Sequence, residues 1–271
     1  MILRNYILFA FTICFFSFGL LQAQTTSDSI SDIVESNVII AENEADLAYR
    51  NDKFVEIIKL YEAQVAKSKL INQESAQLYY NLGNAYFRDN QIAKAIVNYE
   101  RALLLNPGDS DIRHNLRFAK TRIEDKIDSA DNFLINRWIG SIQNLYSANL
   151  WAIIGIVLFL LLIIAIGVYM ISTRISLRKV SFYSGLALLS LVIITNIFAF
   201  KQKHKIATRS TGIVMSASVS IYTSPDAHSQ ELFRLHEGAK VNIKREEGRW
   251  IEIVIANGSV GWLQKKNVEI I

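Results

Sequence analysis

Two uncharged apolar stretches limit what this chain can fold into more than any other feature. One runs from Leu150 to Ile171, the other from Val180 to Phe200. Each is about 20 residues long, enough for a helix rising about 1.5 Å per residue to cross a hydrocarbon layer about 30 Å thick. Neither shows the polar stripe of a helix half-buried in a soluble domain. Trp151, Tyr169 and Tyr183 sit at the ends, where amphipathic rings favour the headgroup layer. Residues 172–179 join the stretches and carry Arg174, Arg178 and Lys179 but no acid. The expectation is a transmembrane hairpin, helices 150–171 and 180–200, around a cytoplasmic loop at 172–179.

Charge placement supports this. Of the 271 residues, 51% are hydrophobic, and the net charge is +4. Residues 24–149 hold 14 basic and 18 acidic side chains, and residues 211–271 hold seven of each. The surplus therefore lies on Arg4, Arg174, Arg178, Lys179, Lys201, Lys203, Lys205 and Arg209, all flanking apolar stretches. No soluble segment carries a basic face, so a nucleic-acid partner is not expected. Cys14 is the only cysteine, which excludes a disulfide within the chain and a cysteine metal site.

Residues 1–23 read as a signal peptide, with Arg4 before an apolar run and Ala23 before the cut. Leu21 is large for its position, so an uncleaved anchor is the alternative. Thr12 and Ile13 before Cys14 do not suit a lipoprotein site. Residues 24–37, rich in Ser, Thr and Asp, read as a linker. A removed signal places both soluble parts outside the cytoplasm and the basic loop inside. The cations at 201–209 favour the opposite arrangement, with both parts cytoplasmic. Two spans put them on one face either way. In segment 133–148, Ile135, Trp138, Ile139, Ile142, Leu145 and Tyr146 fall on one helical face. It reads as an interfacial amphipathic helix contacting membrane lipid, with packing on the last helix of the preceding domain as the alternative.

Residues 38–128 are expected to form an all-α solenoid. Segment QLYYNLGNAYFRDNQIAKAIVNYERALLLNPGD resembles a tetratricopeptide repeat: Tyr79, Leu82, Gly83, Tyr86, Ala95, Tyr99, Ala102 and Pro107 occupy its eight signature positions in a 34-residue frame. Gly83 and Ala95 let two antiparallel helices approach, the aromatic and leucine side chains fill around them, and Pro107 ends the second helix. Asn51–Glu62 reads as a degenerate copy offset by 38 residues, pairing Phe54 with Ile92 and Tyr61 with Tyr99. A further helix, 110 to about 126, carries Ile112, Leu116, Ala119 and Ile123 on one face and reads as a cap. The candidate partner-binding groove is Gln77, Tyr80, Asn84, Phe87 and Arg88, with Asn84 and Arg88 exposed and spaced to hold a carboxylate together. The alternative is that these residues are simply solvated.

Residues 211–271 alternate apolar and polar as half-buried strands do. Strands are expected at 218–222, 232–235, 240–245, 250–255 and 259–263. Turns are expected at Ser224-Pro225-Asp226, Glu237-Gly238, Glu247-Gly248 and Asn257-Gly258. Five short strands suggest a small all-β barrel. The order SIYTSPD, LFRLHEGAKV, GRWIEIVIANGSVGWL, KKNVEII resembles a bacterial SH3 domain. That resemblance implies a core role for Trp262 and a site for peptide or peptidoglycan, with Tyr222, Phe233 and Trp250 as candidate contacts. A core role for each is the alternative.

Nothing in the sequence points to catalysis, a metal site or a cofactor. His114, His204, His228 and His236 lack ligand spacing and read as ordinary surface or turn residues, and no phosphate loop or nucleophile elbow occurs. Glu100 and Glu124 read as solvated helix positions. The whole order of parts, with NPGDSDIRHNLRFAK before the hairpin and LFRLHEGAKV and NGSVGWL after it, resembles the BatE family of bacterial aerotolerance proteins. The signal, the two spans and the basic loop give a multi-pass inner-membrane protein with periplasmic domains as the expectation, and the resemblance implies a membrane setting. It also implies a complex with von Willebrand A-domain Bat proteins, a link to a MoxR-type ATPase and a role in oxidative or envelope stress. A non-enzymatic adaptor is the expected function, and a cell-wall-binding or wall-sensing protein is the alternative.

Overall fold

The computed structural model describes residues 53–126 and 134–271. The expected signal peptide, the linker and the start of the solenoid lie outside the described residues, as does 127–133 at the junction before the interfacial segment. Two compact units divide the chain, 1–73 and 74–271. In the first, α1 spans Phe54–Leu70 and buries Ile57, Ile58, Tyr61 and Val65 along one face.

The second unit opens with α2 (Ala76–Arg88), α3 (Ile92–Leu105) and α4 (Ser110–Lys120). Ser75 caps α2 by accepting from the Leu78 amide, and Asp109 caps α4 by accepting from the Asp111 and Ile112 amides at 2.9 and 3.1 Å. Gly83 on α2 meets α3 directly: a Cβ there would stand 2.7 Å from two ring carbons of Tyr99. α3 is central, with α2 and α4 on two sides and a strand on another. It is accordingly buried almost all round, Asn98 and Glu100 included. The helix expected to reach residue 126 stops at Lys120, where the Thr121 hydroxyl donates to the Phe118 carbonyl at 2.7 Å. The chain then turns, and Asp125 meets the strand domain rather than prolonging a cap.

After α5 (Leu134–Gln143) come α6 (Ala148–Ile171) and α7 (Ile175–Thr208), both long and apolar enough to cross a membrane. They pack closely where side chains are small. Gly155, Ser181 and Thr195 are buried, and Trp151 meets Phe198 edge-on at 5.1 Å between ring centres. Their outer surfaces stay apolar and exposed, as at Ile156, Ile164 and Val180. The connection is only Ser172 to Arg174, shorter than the 172–179 loop expected, because Arg178 and Lys179 are wound into the start of α7. Beyond Phe200 the same helix continues through the lysines to Thr208.

Seven antiparallel strands follow: β1 (Thr211–Val214), β2 (Ser218–Tyr222), β3 (Glu231–His236), β4 (Lys240–Glu247), β5 (Trp250–Val254), β6 (Val260–Gln264) and β7 (Val268–Ile270). The hydrogen-bonded order is β3-β2-β6-β5-β4-β1-β7. The five expected strands are present, and β1 and β7 are additional. Both are too short to show alternation, yet they pair with each other and β1 pairs with β4. Gly238, Gly248 and Gly258 have φ of +90°, +57° and +90°, the left-handed conformation that the expected turns require. Val219, Ile221, Leu235, Val241, Ile251, Ile253 and Leu263 fill the strand core.

A polar seam joins α3 to these strands. Arg101 donates to the Ile270 carbonyl at 2.7 Å and pairs with Glu269 at 2.9 Å. Glu100, 7% exposed, lies 2.7 Å from the Lys120 ammonium and 2.6 Å from that of Lys240. The expectation of a solvated Glu100 is overturned because the strand domain covers it; Glu124 is exposed as expected. Burial alone would push the Glu100 carboxyl up, but Lys240 and Lys120 hold it below the usual carboxylate range. The His236 amide donates to Asp125 at 2.6 Å, and its Nδ1 lies 2.9 Å from the other Asp125 oxygen. His236 is thus a seam residue, not the ordinary surface histidine expected. At the other end Arg209 pairs with Glu74, which also accepts the Tyr79 hydroxyl at 2.5 Å. Burial pushes the Tyr79 hydroxyl up, and the Glu74 hydrogen bond adds to it.

Candidate functional site

Two faces carry the residues that the sequence nominates for binding. On α2, Tyr80, Asn84, Phe87 and Arg88 share one face, and α4 runs beside it. Asn115 of α4 donates through Nδ2 to the Tyr80 hydroxyl and to Asn84 Oδ1, each at 3.0 Å. The Tyr99 hydroxyl donates to the same Asn84 oxygen at 2.8 Å. Asn84 is therefore half-buried, with its carbonyl oxygen committed to two donors inside the domain. Of the expected exposed pair, Arg88 is exposed, whereas Asn84 is half-buried and braces three helices. Gln77 is exposed and donates to Asn81 at 3.0 Å along the same helix. Phe87 is half-buried with its ring 5.5 Å from that of Phe118, which is 48% exposed and lies under the Arg122 guanidinium at 5.5 Å. The accessible mouth of this face is thus Phe87, Phe118, Arg88 and Arg122.

On the strand domain, cross-strand register decides which side chains share a face, because directly paired residues point the same way. Phe233 pairs with the core residue Ile221 and packs against the core. Trp250 alternates with core residues Ile251 and Ile253 and so lies on the opposite face, where it meets Tyr222 edge-on at 5.7 Å. Trp262 pairs with Tyr222 on one side and Glu252 on the other. It is 4% exposed, buried as a core residue is expected to be, but on this second face and apart from the Ile221–Ile251–Ile253 cluster. Arg245 covers its ring at 4.8 Å and pairs with Glu252 at 3.1 Å. A bulge between Ile243 and Arg245 makes this possible: the extra residue, Lys244, shifts Arg245 from the core face to the outer one. Beside Trp250 opens a cleft of about 600 Å³ bordered by Pro225, Asp226, Arg249 and Lys266.

Residues 76–109 match the family model of the tetratricopeptide repeat. Residues 216–269 match that of the bacterial SH3 domain. A comparison with curated proteins finds no match. The two matched domains give the chain a protein-interaction repeat and a domain of a type suited to cell-wall binding, separated by two apolar helices.

The repeat frame also explains what the sequence reading overlooked. Phe118 and Arg122 follow Asn84 and Arg88 by one 34-residue repeat length, so α4 stands where the first helix of a further repeat would stand. A cap role for residues 110–126 does not assign them to a binding face. In the SH3 domain, Tyr222 and Trp250 are brought together as expected, Phe233 is not, and Arg245 and Trp262 join them. No pattern in the sequence marks the Lys244 bulge, so neither residue was legible there as part of the outer face.

Proposed function

We propose that the protein is a non-enzymatic, membrane-anchored adaptor that holds a partner protein in its repeat groove. The observation that carries this reading is the groove mouth, where two phenylalanine rings lie beside two exposed arginines above a braced polar floor. Aromatic surface with arginine on a rigid support is the composition of interaction hot spots. The apolar outer surfaces of α6 and α7 support an inner-membrane hairpin, since such a surface in water marks a lipid or partner contact. The seam between repeat and SH3 domain supports a two-span topology, which requires both on one side. The order of segments favours the periplasmic side and a Bat-type aerotolerance complex with von Willebrand A-domain membrane proteins as partners.

The test is co-purification from detergent-solubilised bacterial membranes. Phe118→Ala with Arg122→Ala should lose the partner at matched expression, by roughly ten- to a hundredfold in affinity. Unchanged recovery of all partners would remove the groove as the docking site. A second reading rests on the Tyr222–Trp250–Trp262 face with its adjoining cleft, which suits a peptidoglycan stem. Retention of the whole protein on purified sacculi, abolished by Trp250→Ala, would favour wall binding or sensing over the adaptor. Protease added to spheroplasts should cut both domains; protection of both would reverse the orientation.

A further inference from the structure

One cleft belongs to neither recognition face. It encloses about 710 Å³ and is walled by the repeat, α5, the end of α7 and the strand domain. Its lining carries three positive side chains, Arg113, Lys205 and Lys240, against one negative, Glu100. Glu100 is already balanced by Lys240 and by Lys120. Arg113 donates to the Gly108 carbonyl at 2.9 Å, and neither it nor Lys205 forms an ion pair among the described residues, although the Glu100 charge also reaches Lys205. The wall therefore presents more positive charge than the described residues neutralise. The same lining includes Leu103, Leu104 and the half-exposed Leu145.

The position of the cleft identifies its occupant. Gln202, 1% exposed, forms one corner and accepts from Gln143 at 3.3 Å. The Gln143 carbonyl in turn accepts the Trp151 indole N–H at 2.9 Å, and Trp151 packs on Phe198. An aromatic anchor of the kind found at membrane interfaces is thus tied to the cleft floor by two glutamines. Lys205 lies about one helical turn past Phe200, the last residue of the apolar stretch. In a membrane-spanning hairpin that is headgroup depth. On the same side α5 exposes Trp138, Ile139 and Ile142, a face suited to the acyl boundary.

We propose that this cleft holds the headgroup of an anionic phospholipid, with the phosphate against Arg113 and Lys205 and the glycerol end toward Leu145. The proposal rests on the membrane reading. A planar guanidinium and an ammonium lining one cleft suit phosphate oxygens, and the leucines of the same lining suit a lipid over a free anion. Bound lipid would bridge the repeat, α5, α7 and the strand domain where they meet the bilayer.

The experiment is native mass spectrometry of the full chain released from nanodiscs of mixed dioleoyl-phosphatidylglycerol and dioleoyl-phosphatidylcholine. Wild type should retain one phosphatidylglycerol and no phosphatidylcholine. Arg113→Glu with Lys205→Glu should lower that occupancy by at least about tenfold. Lys201→Glu with Lys203→Glu makes the same charge change on α7 outside the cleft and should leave it nearly intact. If the first pair disturbs folding by circular dichroism, Arg113→Gln with Lys205→Gln replaces it, with a loss in the same direction. Equal loss in both pairs would indicate a diffuse basic collar and overturn the site. Equal retention of the two lipids, or displacement by millimolar inorganic phosphate alone, would also overturn it. Carbonate extraction separates the premises: a chain that stays in the membrane yet retains no phosphatidylglycerol sinks only this proposal, whereas a chain that is released sinks the membrane reading with it.

Discussion

The repeat and the SH3 domain each present aromatic rings under an arginine, yet they reach that arrangement by different rules. In the repeat, position follows a fixed frame. Phe118 and Arg122 stand one repeat length from Asn84 and Arg88; Asn115 ties together the helices that carry them, and Gly83 admits the Tyr99 ring of α3 between. In the SH3 domain, position follows register. One unpaired residue at the Ile243–Arg245 bulge decides that Arg245 covers Trp262 instead of entering the core. A helical array spreads its specification over many residues, whereas a strand domain concentrates it at single irregularities. Substitutions at frame positions should therefore cost stability, and those at exposed positions of the outer strand face should cost mainly binding.

The largest effect is expected where the two domains meet. Lys120→Ala with Lys240→Ala removes both ammonium groups in contact with the buried Glu100 and leaves only the more distant Lys205. Breaking a buried ion pair from one side costs about 3–5 kcal/mol. Thermal unfolding of the full chain in detergent, followed by tryptophan fluorescence, should show the SH3 domain separating at a lower temperature. Adding Glu100→Leu should restore much of the loss, since the uncompensated charge is then gone. No rescue would mean that the lysines act through contacts other than Glu100. Next in size is Gly83→Ala. Its methyl would sit 2.7 Å from Tyr99 ring carbons, an overpacked contact costing about 1–3 kcal/mol. Limited proteolysis should then cut within residues 76–120 while the SH3 domain stays intact. Unchanged resistance would break the claim that the frame is held at Gly83.

What was legible in the sequence follows the same division. The helix pair, its small residues and its ending near Pro107 were readable because each repeats a spacing set by helix geometry. The turns at Gly238, Gly248 and Gly258 were readable because glycine marks positive φ. The braced Asn84, the buried Glu100 and the Asp125–His236 contact were not, because each depends on a partner at least 15 residues away and leaves no local periodicity. Trp262 shows the point most clearly. The SH3 resemblance implies a core role for it, and it is indeed buried, but pairing with Tyr222 and Glu252 puts it on the face opposite Ile251 and Ile253.

The seam should also respond to pH. The Asp125 hydrogen bond raises the His236 pKa above its ordinary value, with the Asp125 and Glu124 charges adding and Arg234 opposing. A group whose folded pKa is raised stabilises fully below its unfolded value, about 6.5, and loses that contribution as pH rises through the folded value. Hydrogen exchange of segments 121–126 and 236–239, corrected for intrinsic rates, should therefore be slower at pH 6 than at pH 8.5. Asp125→Asn should flatten that difference. A pH dependence that survives the substitution would point to a group other than this pair. Glu100 is not that group, because its depressed pKa makes it respond only in acid.

The smallest effect on stability is expected at Arg245→Ala, and it tests the division between frame and register most sharply. Arg245 is 64% exposed, so its pair with Glu252 is screened and contributes about 0.2–1 kcal/mol. Its position over Trp262 adds about 0.5–1 kcal/mol at an exposed site. Removing it should shift melting only slightly, whereas Trp262→Ala removes a buried ring and should cost about 3–5 kcal/mol. On purified sacculi the ranking should invert relative to stability: Arg245→Ala uncovers the ring and alters the outer face while the fold persists, so retention of the full chain should change well beyond what the melting shift explains. If Arg245→Ala destabilised as much as Trp262→Ala, the bulge would serve the core, and the outer strand face would lose its claim as a binding surface. If it changed neither melting nor retention, Arg245 would be a solvated residue on a face that binds nothing, leaving the repeat groove as the site of recognition.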